Sequence, residues 1–204
     1  MNESDDNFTI VSGTLDDFSS FIKLLLISEP ELYQELFGRN YLEILEALFK
    51  RQNNNFSYEN VIIAKKGDEV LGMLLGYSYE KFVKMIFKSS ITFFRVMGCQ
   101  FFTSLPKFIK LGSSMEKIDK NSFYISNLAV YPEYRKRGIG KKLMTKAEEI
   151  AINSGCSKIC LDVSYENEKA MLFYKSLGFH ESGKGKEFKI NDKKFSFVRF
   201  EKNL

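Results

Sequence analysis

Apolar and polar positions along this chain switch between a two-residue and a three-to-four-residue period, and the switches divide it into elements. Phe8-Thr9-Ile10-Val11 reads as a first strand, and Thr14-Leu15-Asp16-Asp17 looks like a helix entry. Phe18 to Ile27 keeps a helical pattern until Glu29-Pro30 breaks it. A second helical stretch runs from Leu32 to Lys50, carried by Leu32, Leu36, Phe37, Tyr41, Ile44, Leu45 and Leu48, with an interruption at Gly38. Val61 to Ala64, the turn Lys66-Gly67-Asp68-Glu69, and Val70 to Tyr77 then spell strand, turn, strand.

The second half repeats the alternation with sharper punctuation. Phe123 to Val130 reads as a strand that stops at Tyr131-Pro132. Leu143, Met144, Ala147, Ile150 and Ala151 then mark one face of a helix, which Asn153-Ser154-Gly155 ends. Lys158 to Val163 is another strand, followed by a short helix from Glu168 to Leu177 closed by Gly178. Phe188-Lys189-Ile190, Asn191-Asp192-Lys193 and Lys194 to Phe200 read as a strand, turn, strand hairpin that completes the sheet. No internal repeat is visible.

Between Tyr79 and Ser122 lies a connection far longer than the few residues usual between neighbouring elements, so structure of its own is expected there. Its phenylalanines are interleaved with Lys81, Lys84, Lys88, Arg95, Lys107 and Lys110. The pattern predicts two helices, divided near Gly98 or by Pro106. An added hairpin that covers the sheet or makes a dimer contact is the simplest use. A lid over a neighbouring site, a pocket for an apolar ligand, or a basic amphipathic surface that meets lipid are the sharper ones.

Candidate chemistry concentrates in Arg135-Lys136-Arg137-Gly138-Ile139-Gly140, between the strand ending at Val130 and the helix that follows. A first helical turn carries unpaired N–H groups and partial positive charge, and two glycines allow close approach to the backbone. A Walker loop is excluded, because Arg135 stands where its first Gly should be and Lys142 where its Ser or Thr should be. A dinucleotide fingerprint is excluded by Leu143 in place of a third small residue. On these six residues alone, a diphosphate cradle and a plain basic turn are equally good readings.

From Phe123 to Phe179 the order strand, Arg135-x-x-Gly138-x-Gly140, helix, strand, then Asn167, Ala170, Tyr174 and Leu177-Gly178-Phe179 resembles the GCN5-related N-acetyltransferase (GNAT) superfamily. The resemblance implies an α/β (α+β) GNAT fold. Its sheet would be mixed and mostly antiparallel, flanked by helices, with a splayed parallel strand pair ending near Val130 and Val163. A Phe-rich helical insertion over residues 80–120 would sit between strands 3 and 4 of a single domain covering 1–204.

The resemblance also implies an acetyl-CoA-dependent N-acetyltransferase that moves acetyl to a primary amine by direct attack in a ternary complex. Arg135, Lys136, Arg137, Gly138, Ile139, Gly140 and Lys141 would hold the pyrophosphate. Leu128, Ala129 and Val130 would pair with the pantetheine amides, and backbone N–H near Leu128 or Ala129 would polarise the thioester carbonyl. Tyr174 would assist the departing thiolate, and Asn167 would order the site or simply cap its helix. Many relatives place a glutamate on the strand before the cradle, where this chain has Ser126 and Asn127. A neutral amine attacking directly, or a relay to Glu29 or Glu31, is expected instead. A domain of the same fold that binds acyl-CoA as a sensor or scaffold without turnover is the competing class.

Composition adds limits rather than detail. With 204 residues, 44% hydrophobic, the chain can bury a sizeable core without disulfides. Cys99, Cys156 and Cys160 are an odd number with a single histidine, His180, in the chain, so free thiols, a reducing compartment and no metal are expected. A net charge of +4 suits a phosphate-bearing cosubstrate without implying nucleic acid. The acidic start Met1 to Asn7 is unlike a leader, and no apolar run reaches membrane-spanning length, so a cytoplasmic protein is expected.

Overall fold

The computed structural model describes residues 7–204; the acidic start, residues 1–6, lies outside them. Strand β1 (Thr9–Ser12) leads through a 3-10 turn at Leu15–Asp17 into α1 (Phe18–Ser28). The Thr14 backbone N–H and hydroxyl both donate to the Asp17 carboxylate, at 2.9 and 2.8 Å, which closes that entry. Helices α2 (Leu32–Phe37) and α3 (Tyr41–Phe49) part at Gly38, as the sequence predicts. Strands β2 (Val61–Lys66) and β3 (Glu69–Ser78) follow, then α4 (Tyr79–Met97) and α5 (Gln100–Ser114). The second half holds β4 (Ser122–Val130), α6 (Ile139–Asn153), β5 (Lys158–Ser164), α7 (Glu168–Ser176), β6 (His180–Lys184), β7 (Phe188–Ile190), β8 (Lys193–Phe195) and β9 (Phe197–Asn203).

Seven strands form one sheet in the order β1-β2-β3-β4-β5-β9-β6. Every pairing is antiparallel except β4 with β5, which runs parallel from Ser122↔Lys158 to Ile125↔Leu161 and then stops. Beyond that point β4 stays with β3 as far as Val130↔Gly72, while β5 stays with β9 as far as Ser164↔Phe197. The two strands therefore diverge. A register shift leaves Ser126 as the extra residue of a bulge opposite Leu75 and Gly76, and such a bulge adds twist where the pair separates.

Alternation along the strands divides the core into two layers. On β2, Val61 and Ile63 face α1, α2 and α3, while Ile62 and Ala64 face α6. Phe21, Leu24, Leu25, Leu45 and Leu48 fill the first layer, and Leu143, Ala147, Ala151, Ile159 and Phe200 the second. Each large side chain fully buried here contributes about 1.5–3 kcal/mol.

One predicted division is decided and one predicted hairpin changes. The insertion divides at Gly98 alone, and Pro106 lies inside α5, on its exposed side, where water can satisfy the carbonyl that its missing N–H leaves free. The C-terminal hairpin is also split. β7 and β8 make a separate two-stranded ribbon, while β9 starts after Ser196 and pairs with β5 on one edge and β6 on the other. A strand held on both edges cannot continue a hairpin with β7.

One buried ion pair ties the insertion's return to the sheet. The Arg199 guanidinium donates to both Asp162 oxygens at 2.8 Å and to the carbonyls of Glu116 and Lys117 at 2.7 and 3.1 Å. The Tyr124 hydroxyl also donates to Asp162, at 3.1 Å.

Candidate functional site

Where β4 and β5 part, a cleft of about 520 Å³ opens between them, walled by α6, α7 and the end of α1. Among the described residues no strand pairs with β4 on that side past Ile125, so its main-chain groups face the opening. Leu128, Ala129 and Val130 all line the cleft, with Ala129 buried and the other two half-buried.

The turn into α6 is built by backbone angles. Tyr131 N–H donates to the Leu71 carbonyl at 3.0 Å, and Pro132–Tyr134 form a 3-10 turn. Arg135 Nε donates back to the Val130 carbonyl at 3.1 Å. Lys136 and Gly138 then take left-handed φ values of 64° and 78°, curling the chain so that α6 begins with its first-turn N–H groups free of helical acceptors. Gly138 and Gly140 serve different needs. A Cβ at Gly138 would meet open space, so its requirement is the backbone angle; a Cβ at Gly140 would lie 3.2 Å from the Phe173 ring, so its requirement is room.

Arg135, Lys136, Gly138, Ile139, Gly140 and Lys141 line the cleft, but Arg137 does not. Its guanidinium lies 5.5 Å from the Tyr134 ring centre and donates to the Glu133 carbonyl at 3.2 Å, toward a smaller hollow beside Phe8 and Glu69. The cationic contribution of the turn comes from Arg135, Lys136 and Lys141, and Lys169 of α7 adds a further cation to the cleft wall.

Across the cleft stands α7. Asn167 Oδ1 accepts the Ala170 N–H at 3.1 Å, so this side chain caps the helix while lining the cleft. Tyr174 also lines the cleft and packs against Phe173 and Phe179, at ring-centre distances of 5.2 and 5.8 Å. Burial pushes its phenol above the ordinary tyrosine range, so it stays protonated.

The two acidic candidates separate. Glu31 pairs with Lys193 at 2.6 Å on the surface of β8 and is not part of the cleft wall. Glu29 is. It caps the C-terminus of α1, and burial pushes its carboxyl up to about 7. Its neighbourhood is fixed by a network that the sequence did not announce. Tyr33 donates to Asn127 Oδ1 at 3.0 Å, Asn127 Nδ2 donates to Ser28 Oγ at 2.8 Å, and Ser28 donates to the Leu25 carbonyl at 2.7 Å. Ser126 Oγ also donates to Asn127, at 2.9 Å. Asn127, which takes no proton, thus clamps β4 to the helix end that carries Glu29. The visible signal was an acid beside a helix-breaking proline; its distance from β4 was not legible.

The three cysteines and the histidine do not line the cleft. Cys156 and Cys160 are buried, and burial pushes the Cys160 thiol up to about 12. His180 is exposed at the start of β6. Among the described residues no cluster of histidine, cysteine or acidic side chains is placed to hold a metal, and no helix is long and apolar enough to cross a membrane.

Comparison with known proteins places residues 23–179 on the model of the Acetyltransferase (GNAT) family. The chain is 44% identical over 57 residues to the thialysine N-epsilon-acetyltransferase of Bos taurus, a match that covers 28% of this chain and 34% of the relative. It therefore spans about a third of the length of that curated relative. An N-acetyltransferase from Staphylococcus aureus Mu50 shares the fold with a TM-score of 0.69 at 20% identity, over 95% of this chain and 100% of that one. The PaiA N-acetyltransferase of Thermoplasma acidophilum, solved in complex with coenzyme A, shares it with a TM-score of 0.54 at 17% identity, over 97% and 99%.

Proposed function

Because the chain belongs to the GNAT acetyltransferase family, we propose that it moves an acetyl group from acetyl-CoA to a primary amine, by direct attack in a ternary complex. One observation carries this reading: the same cleft is lined by an anion cradle and by a desolvated carboxyl, Glu29. Coenzyme A in the Thermoplasma acidophilum relative and the N-epsilon acceptor in the name of the bovine one support it.

The residues present fit the cosubstrate. Arg135, Lys136, Lys141 and the N–H groups that open α6 would hold a diphosphate, and the unpaired edge of β4 at Leu128–Val130 would receive its amide-bearing arm. When bound, acetyl-CoA supplies a thioester whose carbonyl carbon accepts the amine. Leu128 N–H is the proposed donor to the oxygen that gains charge.

Glu29 accepts the proton that the amine must lose. For an amine of pKa near 10.4, transfer to a carboxylate of pKa about 7 costs about 5 kcal/mol, against about 8 kcal/mol for one at its ordinary 4.5. Desolvation of Glu29 is thus a catalytic asset. Tyr174, held as a phenol by burial, donates a hydrogen bond to the departing sulfur, and Asn167 holds the helix that presents it. The buried, unpaired thiols of Cys156 and Cys160 support a reducing compartment, and a cytoplasmic enzyme is part of this proposal.

The test has two stages. Acetyl-CoA at about a hundred times its Kd should raise Tm by roughly 5–11 °C, whereas ATP and NAD should not. Thiol release with a panel of primary amines should then follow, and should collapse in Glu29→Gln but not in Glu31→Gln. Binding without thiol release would favour the acyl-CoA sensor; equal shifts with ATP would remove both readings.

A further inference from the structure

The α4–α5 hairpin has an inner and an outer face of opposite character. Inside, Phe93 and Phe108 close around Phe37 with ring centres 5.5 to 6.0 Å apart, which seats the hairpin firmly on α2. Outside, Phe87 is 75% exposed and Phe102 is 63% exposed. Val83, Phe87 and Phe94 follow one line along α4, and Phe102 and Ile109 follow one along α5. The Phe94 and Phe102 rings meet at 5.8 Å, so the two lines join into one apolar strip across the Gly98 turn.

Charge decides what this strip fits. Between Lys81 and Ser114 the chain carries five lysines and one arginine and no acidic residue, more positive charge than the net +4 of the whole protein. The rest of the molecule is therefore net acidic. Lys84, Lys88 and Arg95 fall along the flank of α4 beside the strip, and Lys110 occupies the matching flank of α5; all four are exposed. A two-fold contact with a second copy would set this cationic face against itself, with Glu80 at the start of α4, 3.9 Å from Lys84, as the one acid on the two helices to offset it. Neither helix is able to cross a bilayer. An apolar strip that is bordered by cations and lies flat is the arrangement that suits an anionic lipid surface.

We propose that the outer face of the α4–α5 hairpin docks on anionic bilayers, with Phe87, Phe94, Phe102 and Ile109 entering the headgroup boundary and the lysines meeting lipid phosphates. The reading is independent of acetyl transfer. The test is co-sedimentation of the whole protein with vesicles of phosphatidylcholine, with and without phosphatidylglycerol. Binding is expected only to the anionic vesicles, weakening as salt approaches about 1 M. The double variant Phe87→Glu, Phe102→Glu should reduce it at least about tenfold, with Tm and the acetyl-CoA shift of the wild type retained. No binding, equal binding to both compositions, or undiminished binding by the variant overturns the proposal. So does a dimer in light scattering that the same substitutions dissociate while no vesicles are bound, which would make the strip a contact between copies.

Discussion

Cations flank both the β4–α6 turn and the α4–α5 hairpin, yet the two regions present opposite surfaces between their charges. At the turn, Arg135, Lys136 and Lys141 surround bare backbone, with Gly138 and Gly140 keeping side chains out of the way. On the hairpin, Lys84, Lys88 and Lys110 border phenylalanine rings. The first arrangement suits a compact anion that N–H groups can enclose; the second suits a broad surface that is charged outside and apolar beneath. What stands between basic residues, rather than their number, separates the two.

If the cleft region carries chemistry and the hairpin carries docking, substitutions in one should leave the other's readout untouched. Glu29→Gln should have the largest effect, lowering kcat roughly 10²- to 10⁴-fold and removing the limb of the pH profile that rises through about pH 7. The same change should stabilise the fold. A carboxyl raised by burial holds its proton in the folded state while the unfolded chain releases it, so stability falls as pH rises from about 4.5 to about 7. Above that window the glutamine variant should be more stable by up to about 3 kcal/mol, and below it equal, as read by urea denaturation at several pH values.

Arg199→Ala probes the tie between the regions. Leaving Asp162 buried without its partner should cost about 3–5 kcal/mol in the urea midpoint analysis. Because Asp162 lines the cleft and Arg199 holds the segment after α5, acetyl-CoA affinity should fall as well. Gly140→Val is narrower in scope. Its side chain would press on Phe173, and a cost of about 1–3 kcal/mol should appear as a KM for acetyl-CoA raised roughly tenfold, with vesicle binding unchanged. Smallest of all, Phe87→Ser with Phe102→Ser should leave stability within about 0.5 kcal/mol, since both rings are exposed.

What the sequence disclosed follows the range of the forces involved. Strand and helix periods, the breaks at Pro30, Gly38 and Gly155, and the order of elements from Phe123 to Phe179 are local, and the structure follows them. Long-range contacts were the hidden part. The Tyr33–Asn127–Ser28 network spans 94 and 99 residues of separation, so no local pattern could show that Glu29, and not Glu31, sits beside β4. Arg137 is in the same motif as Arg135 yet stacks on Tyr134, because rotamer choice is invisible to spacing. The split at Ser196 depends on β9 being claimed by β5 and β6 together.

The parting of β4 from β5 also bears on how freely such a protein can drift. A ligand held by main-chain N–H and C=O groups along residues 128–130 asks for a shape of chain and hardly for particular side chains there. Mutation can then rewrite that wall while its hydrogen-bonding pattern persists, in keeping with a fold shared at 17% and 20% identity. Heritable constraint should instead gather at the few places where a side chain is the wrong size or the wrong hand, Gly138 and Gly140 foremost.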